Sequence, residues 1–164
     1  MRTLIVVSLF AILASLAIGC ANGFDGAEEI ASIGAALDDW HRAAAAADEA
    51  RYFSHLADDA IFLGTDATER WDVRAFREYV HPYFSKGKGW TYVPGDRHVR
   101  LAPGGAVAWV DERLGNEKYG ELRGTGVLRK DGGAWKIVHY SMSFPVPNGA
   151  AARVVAEIRA GGAR

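Results

Sequence analysis

The chain has 164 residues, 49% of them hydrophobic and 24% charged, the size and make-up of one globular domain with a packed core. Nineteen basic against twenty acidic side chains leave a formal net charge of -1, which excludes the basic field that a nucleic-acid backbone requires. The single cysteine, Cys20, excludes an internal disulfide and argues against a cysteine-based metal centre.

Met1 and Arg2 precede the apolar run TLIVVSLFAILASLAIG, which ends in small residues just before Cys20. This is the layout of a signal peptide over residues 1–19. Leu16-Ala17-Ile18-Gly19-Cys20 resembles a bacterial lipobox, in which the cysteine is lipidated and becomes the first mature residue. The resemblance implies a domain held at the cell envelope by acyl chains on Cys20. Asn22 resembles the pattern routed to the outer membrane, on its periplasmic side. Plain secretion to the periplasm or beyond is one alternative. The other is an uncleaved anchor of roughly 17 to 18 apolar residues, at the lower edge of a bilayer span.

Residues 20–27 have the small and polar make-up of a tether. Over 28–47, Ile30, Ile33, Leu37 and Trp40 recur at three- and four-residue steps, with Glu28 and Glu29 in the first turn, and the pattern predicts an amphipathic helix. Asp48 is an N-cap for a second, short helix through Leu56, after which residues 59–64, DAIFLG, read as a strand. A loop at 65–69 leads to Asp72, the cap of a third helix whose stripe is Val73, Phe76, Val80 and Phe84. Pro82 and the Gly87/Gly89 pair end it.

Everything after Gly89 reads as strand and turn. Residues 90–93 and 97–101 form one long strand kinked at Pro94-Gly95-Asp96, and 106–114 form the next. Residues 122–130 and 135–144 are the arms of a hairpin turned by Asp131-Gly132-Gly133 and stopped by Pro145 and Pro147. Three helices and a strand followed by four antiparallel strands is an α+β order, with helices laid on one face of a curved sheet. The Ala-, Gly- and Arg-rich tail, 149–164, reads as a short helix or an unstructured end.

Two segments carry a family resemblance. Residues 121–148, ELRGTGVLRKDGGAWKIVHYSMSFPVPN, resemble the closing hairpin of the SnoaL-like, nuclear transport factor 2-like superfamily, in which a Trp after a Gly-bearing turn leads into a W-x-I-x-H-type strand. Residues 64–71, GTDATERW, resemble its G-T-D-x-x-E-R-W segment. The resemblance implies a cystatin-like cone, a strongly curved antiparallel sheet with three N-terminal helices, spanning a domain at 28–148. It also implies a homodimer through the outer face of the sheet. The superfamily holds isomerases, cyclases, dehydratases and plain binding modules.

Chemistry has several candidate carriers. Trp40, Tyr52, Phe62, Trp71, Tyr79, Trp90, Trp109 and Tyr140 are many large aromatics for one small domain, and walls of this kind suit a flat apolar ligand. Asp66 or Glu69 reads either as a carboxylate at the mouth of the cone or as a turn residue and an ion-pair partner. Asp111 and Glu112 necessarily point to opposite sheet faces. Asp111, on the face of Val107 and Trp109, is expected inside, leaving Glu112 for solvent or a partner subunit. On the last strand, Val138, Tyr140, Met142 and Phe144 are expected to wall the cavity, with Trp135, Ile137 and His139 outside at the dimer contact. His41, His55, His81 and His98 lack the spacing of a metal site, so neither metal nor cofactor is expected. Gly124-Thr125-Gly126 lacks the setting of a phosphate loop and reads as a place where the sheet bends.

Three functions fit this sequence. The first is binding of a small, largely apolar molecule at the cell envelope. The second is an isomerase, dehydratase or cyclase with Asp111 as general base and Tyr140 or Trp109 as donor to a developing oxyanion. The third is a structural module for dimerisation or docking.

Overall fold

A computed structural model describes residues 26–161. Cys20 and the apolar run before it lie outside the described residues, and so do the expectations placed on them. Helix α1, Gly26–Ala45, buries Ile33, Leu37, Trp40 and Ala44 along one face. These are the positions its three- and four-residue spacing selects, each large side chain contributing about 1.5–3 kcal/mol on full burial. It starts two residues earlier than expected, inside the region read as tether. It ends where Ala47 takes a left-handed φ of 54° and the Asp48 N–H reaches back to the Ala43 carbonyl at 2.9 Å.

Asp48 caps α2, Glu49–Ser54, by accepting from the Arg51 N–H at 3.1 Å. Asp72 caps α3, Val73–Phe84, by accepting from the Ala75 N–H at 2.8 Å, and Phe76, Val80 and Phe84 are its buried stripe. Both caps are those the sequence predicts.

The sheet has six strands: β1, Leu56–Leu63; β2, Arg70–Asp72; β3, Val93–Leu101; β4, Val107–Asn116; β5, Gly120–Asp131; and β6, Ala134–Ser143, in the spatial order β2-β1-β6-β5-β4-β3. The expected all-antiparallel sheet is corrected on one point: β1 runs parallel to β6, pairing Phe62 with Tyr140. A strand separated from its neighbour by a helix and four strands has no hairpin to force antiparallel pairing. The short β2, read as loop and cap, pairs with the end of β1. The kink expected at Pro94-Gly95-Asp96 is a register shift of β3 on β4 between Pro94 and Arg97. Helix α1 lies against β3 and β6, and α3 against β1 and β2. After Pro147 come a single 3-10 turn, Asn148–Ala150, and α4, Ala151–Gly161, whose Val155 and Ile158 are exposed.

The largest correction concerns which residues face the helices. On β4 the buried set is Ala108, Val110, Glu112 and Leu114, while Val107, Trp109 and Asp111 are exposed on the other face. The expectation placed Asp111 inside because it shares a strand face with Val107 and Trp109, with Trp109 taken as part of the cavity wall. The buried face is instead built from small and medium side chains that leave room for helix α1.

On β6 neither single alternation holds. Trp135 and Ile137 are buried, and so are Tyr140 and Met142, because the register shifts opposite Val127 and Leu128 and leaves Val138 as an extra residue. This bulge changes the phase of the strand midway and brings both sets inward. Trp135 and Ile137 therefore belong to the core rather than to an outer contact, and Phe144 lies exposed past the strand end.

Candidate functional site

Between the helices and the inner sheet face lies a cavity of about 260 Å³. Its floor is made by buried residues from every layer: Trp40 and His41 of α1, Tyr52 of α2, Phe62 of β1, Phe76 of α3 and Met142 of β6. Its rim carries Thr65, Glu69, Tyr79 and Tyr119, with Trp71, Trp90 and Tyr92 half-buried between. Phe62, Phe76, Trp71 and Tyr79 form a series of near-parallel rings from floor to rim. Successive centroids are 4.2, 5.5 and 4.7 Å apart at interplanar angles of 10°, 21° and 25°. Trp40 stacks on Tyr52 at 5.2 Å and meets Tyr140 edge-on at 4.7 Å. Such ring pairs contribute about 0.5–1.5 kcal/mol each beyond the area they bury.

Behind the floor sits a buried polar cluster. The Glu112 side chain is 0% exposed. Its Oε1 accepts from His41 Nε2 at 2.9 Å and from the Tyr140 hydroxyl at 2.5 Å, and its Oε2 accepts from Arg97 Nε at 2.8 Å. Arg97 also donates from Nη1 to the Gly34 carbonyl at 3.0 Å and pairs with Asp38 at 2.8 Å, so the guanidinium joins β3 to α1. Arg97 Nη2 lies 2.8 Å from Glu112 Oε2 as an ion pair without hydrogen-bond geometry. The Trp40 indole N–H has no hydrogen-bond partner among the described residues.

Burial pushes the Glu112 carboxyl up, but the hydrogen bond and charge of His41, then Tyr140 and Arg97, outweigh it and hold its pKa below the ordinary value. Burial first, then the Glu112 charge, pushes the Tyr140 phenol well up, so it stays a donor. With Glu112 ionised, the proton it shares with His41 is assigned to Nε2. Nδ1 is then the basic atom of the ring, and it has no hydrogen-bond partner among the described residues.

Tyr140 can reach Glu112 because β5 opposes it with glycine. A Cβ on Gly124 would stand 2.0 Å from the Tyr140 hydroxyl, and one on Gly126 would stand 2.9 Å from its ring. These glycines, read from sequence as a bend, are the bed on which the ring lies.

Of the residues singled out by sequence, Trp40, Tyr52, Phe62, Trp71, Tyr79 and Trp90 come together around the cavity. Tyr140 is buried behind it and serves Glu112. Asp111 and Trp109 are exposed on the opposite sheet face and cannot serve the cavity. Asp66 is exposed and closes its own turn, accepting from the Thr68 N–H at 2.8 Å and the Thr68 hydroxyl at 2.6 Å. Glu69 is the carboxylate of the GTDATERW segment that reaches the cavity, together with Gly64, Thr65 and Trp71. His41, Arg97, Glu112, Tyr92 and Tyr119 are site residues that sequence reasoning missed. Among the described residues, no group of three or more His, Cys, Asp or Glu is placed to hold a metal ion. No helix among them is long and apolar enough to cross a membrane.

Comparison with known proteins agrees with this architecture. The model of the SnoaL-like domain family matches residues 33–147. Among solved structures, an NTF2-like protein of unknown function from Pseudomonas putida KT2440 is similar at 20% identity and a TM-score of 0.62, covering 77% of this chain and 92% of its own. A putative aromatic ring hydroxylase from Novosphingobium aromaticivorans is similar at 18% identity and a TM-score of 0.62, covering 75% and 93%. A putative ketosteroid isomerase from Shewanella frigidimarina is similar at 20% identity and a TM-score of 0.55, covering 68% and 94%. No curated protein matches the chain.

Proposed function

The chain belongs to the SnoaL-like family, and from that premise we propose that it binds a small, flat, largely apolar molecule in its aromatic cavity, at the cell envelope and anchored through lipid on Cys20. The observation that carries the binding reading is the series of stacked rings from Phe62 to Tyr79, which lines the cavity from buried floor to open rim. Mass spectrometry of protein purified without denaturation tests it by identifying the released molecule. Ala44 also lines the cavity, and Ala44→Phe, which places a ring in that space, should abolish uptake while circular dichroism stays native. A folded Ala44→Phe protein that still carries the molecule would refute the reading. Incorporation of labelled fatty acid that disappears in Cys20→Ser tests the anchor.

One observation favours a second reading, an isomerase- or dehydratase-type proton transfer. His41 lines the cavity and is held by the buried Glu112 carboxylate at 2.9 Å. In this reading Nδ1 takes a proton from a carbon acid of the ligand while the C–H electron pair stays in the ligand's conjugated frame. Glu112 stabilises the imidazolium that forms, and the proton returns at another position. His41→Gln should leave binding intact and slow deuterium exchange into the bound molecule by roughly 10²–10⁴-fold. Exchange at the wild-type rate would exclude His41.

A homodimer through the outer sheet face remains part of the proposal, with its residues reassigned. Trp109, Val127 and His139 are directly paired across β4, β5 and β6 and form an outward row, with Val107 beside it on β4. Trp109 is 48% exposed, the kind of surface a partner covers. Sedimentation of the anchor-free domain should give a dimer that Trp109→Lys dissociates.

A further inference from the structure

We propose that the molecule taken by the cavity is an organic cation, an amine or quaternary ammonium on a flat apolar body, with its positive charge seated at the rim against Glu69 and the faces of Trp71, Tyr79, Tyr92 and Tyr119. This deepens the binding reading above and rests on it. The first argument is the charge inventory of the lining. Among the described residues it contains one carboxylate, that of Glu69, one imidazole, that of His41 on the floor, and no Lys or Arg. An anionic head group would face Glu69 directly, since His41 lies on the floor against Glu112 and Lys118 lies outside the lining on the ring of Tyr119. A neutral one would draw a half-buried carboxylate further from water without giving it a partner.

The second argument is how Glu69 is held. Its Oε2 accepts from the Asp66 backbone N–H at 3.1 Å, and the side chain folds back over Gly64, where a Cβ would stand 2.1 Å from that oxygen. Gly64 thus provides the space that keeps the carboxylate at the rim instead of extended into solvent.

The third argument is the ring faces. Trp71 and Tyr79 stack at 4.7 Å beside this carboxylate, and aromatic faces carry the negative end of the ring quadrupole, which attracts cations most strongly where water is partly excluded. Burial and then the Glu69 charge push the Tyr79 phenol up. Burial, then Tyr119, Tyr79 and Glu69, does the same to Tyr92. Both phenols therefore stay neutral, and their rings lie close to the Glu69 carboxylate. Lys118, outside the lining, already places its ammonium 4.8 Å from the centroid of Tyr119, so one rim ring is in use as a cation acceptor.

The test compares two probes of one shape, phenyltrimethylammonium and its uncharged isostere tert-butylbenzene, by calorimetry or tryptophan fluorescence on the folded protein. We expect the cation to bind at least about tenfold more tightly. Raising the salt to about 0.5 M should weaken the cation alone. Glu69→Gln, whose amide oxygen can still accept from Asp66, should remove most of the preference and leave tert-butylbenzene unchanged. Tyr119→Leu, at an exposed position where folding is not at stake, should weaken only the cation. Equal affinity for both probes, or a preference untouched by both substitutions, overturns the cation proposal and leaves the binding reading standing. Binding of neither probe overturns both.

Discussion

Two clusters in this molecule are built from the same parts and do different things. Glu112 gathers His41, Arg97 and Tyr140 inside the domain. Asp39, two residues before His41 on α1, gathers His55, Arg51 and Arg42 on the surface. There, Arg51 Nε donates at 2.9 Å and His55 Nε2 at 3.0 Å, with Arg51 Nη2 and Arg42 adding further bonds. The Glu112 side chain is wholly enclosed, whereas that of Asp39 keeps 26% of its exposure. Burial decides the outcome. In water, the Asp39 pairs offset little more than the entropy of ordering their long side chains. Away from water, each bond to Glu112 matters more, because no solvent is at hand to replace a lost partner. The surface cluster ties α1 to α2. The inner one fixes the tautomer of a histidine at a cavity.

Removing Glu112 should therefore produce the largest effect. Glu112→Ala takes from Arg97 its buried partner, leaving it Asp38 and the Gly34 carbonyl, and takes the acceptor from Tyr140 and His41. It is expected to cost about 3–5 kcal/mol, read as a shift in the urea midpoint. A cost below about 1 kcal/mol would mean that the cluster is hydrated and the contrast with Asp39 is false. Acid should act through the same group. The Glu112 pKa in the folded protein lies below its unfolded value of 4.5, so its stabilisation is complete above that pH and is lost as pH falls through the lower folded value. The acid limb of Glu112→Gln should be correspondingly shallower than that of the wild type.

Next in size is Gly124→Ala. The added methyl would stand 2.0 Å from the Tyr140 hydroxyl, so ring or strand must shift, at a cost of about 1–3 kcal/mol. The loss should come with a weakened Tyr140–Glu112 bond, visible as a lowered phenol pKa in a spectrophotometric titration. Glycine here acts through the neighbour it admits.

That dependence shows which parts of the molecule were legible in the sequence. The caps at Asp48 and Asp72, the stripes of α1 and α3, the Asp131-Gly132-Gly133 turn and the kink at Pro94 were readable because each is decided by residues close along the chain. The aromatic lining was readable in kind, since six of the proposed rings do meet. Three things were not. The Val138 bulge reverses the phase of β6 without any special residue at the site. The inner face of β4 holds a glutamate, which alternation alone assigns to water. His41 and Glu112 are 71 residues apart, and nothing local to either announces the other. A signal did exist in the paired strands: Leu122, Gly124, Gly126 and Leu128 on β5 oppose Leu114, Glu112, Val110 and Ala108 on β4. Two glycines between two leucines mark a face where something large must fit, and the Leu114 end points to Glu112 over Asp111.

A smaller effect is expected from Asp39→Asn. It removes a carboxylate whose pKa is pulled far below normal, first by Arg51, with Arg42 and His55 adding to it, yet the partners remain free to turn to water. The expected loss is about 0.5–1 kcal/mol, shrinking as salt is raised. A loss as large as that of Glu112→Ala would erase the distinction between the two clusters.

The smallest effect belongs to the residue beside Glu112. Asp111 sits on the same strand, one peptide away, but points to the exposed face, opposite His98 on β3 and Thr125 on β5. Because an exposed carboxylate loses little on becoming an amide, Asp111→Asn should change stability by no more than about 0.5 kcal/mol. It should leave probe affinity and any deuterium exchange at wild-type levels, since no atom of it lines the aromatic cavity. The pair Asp111→Asn and Glu112→Gln, measured side by side by urea titration and ligand binding, reads the orientation of β4 directly. If Asp111→Asn were the damaging change, the strand would have to be turned over by one residue, and the assignment of His41 and Glu112 to the cavity would turn over with it.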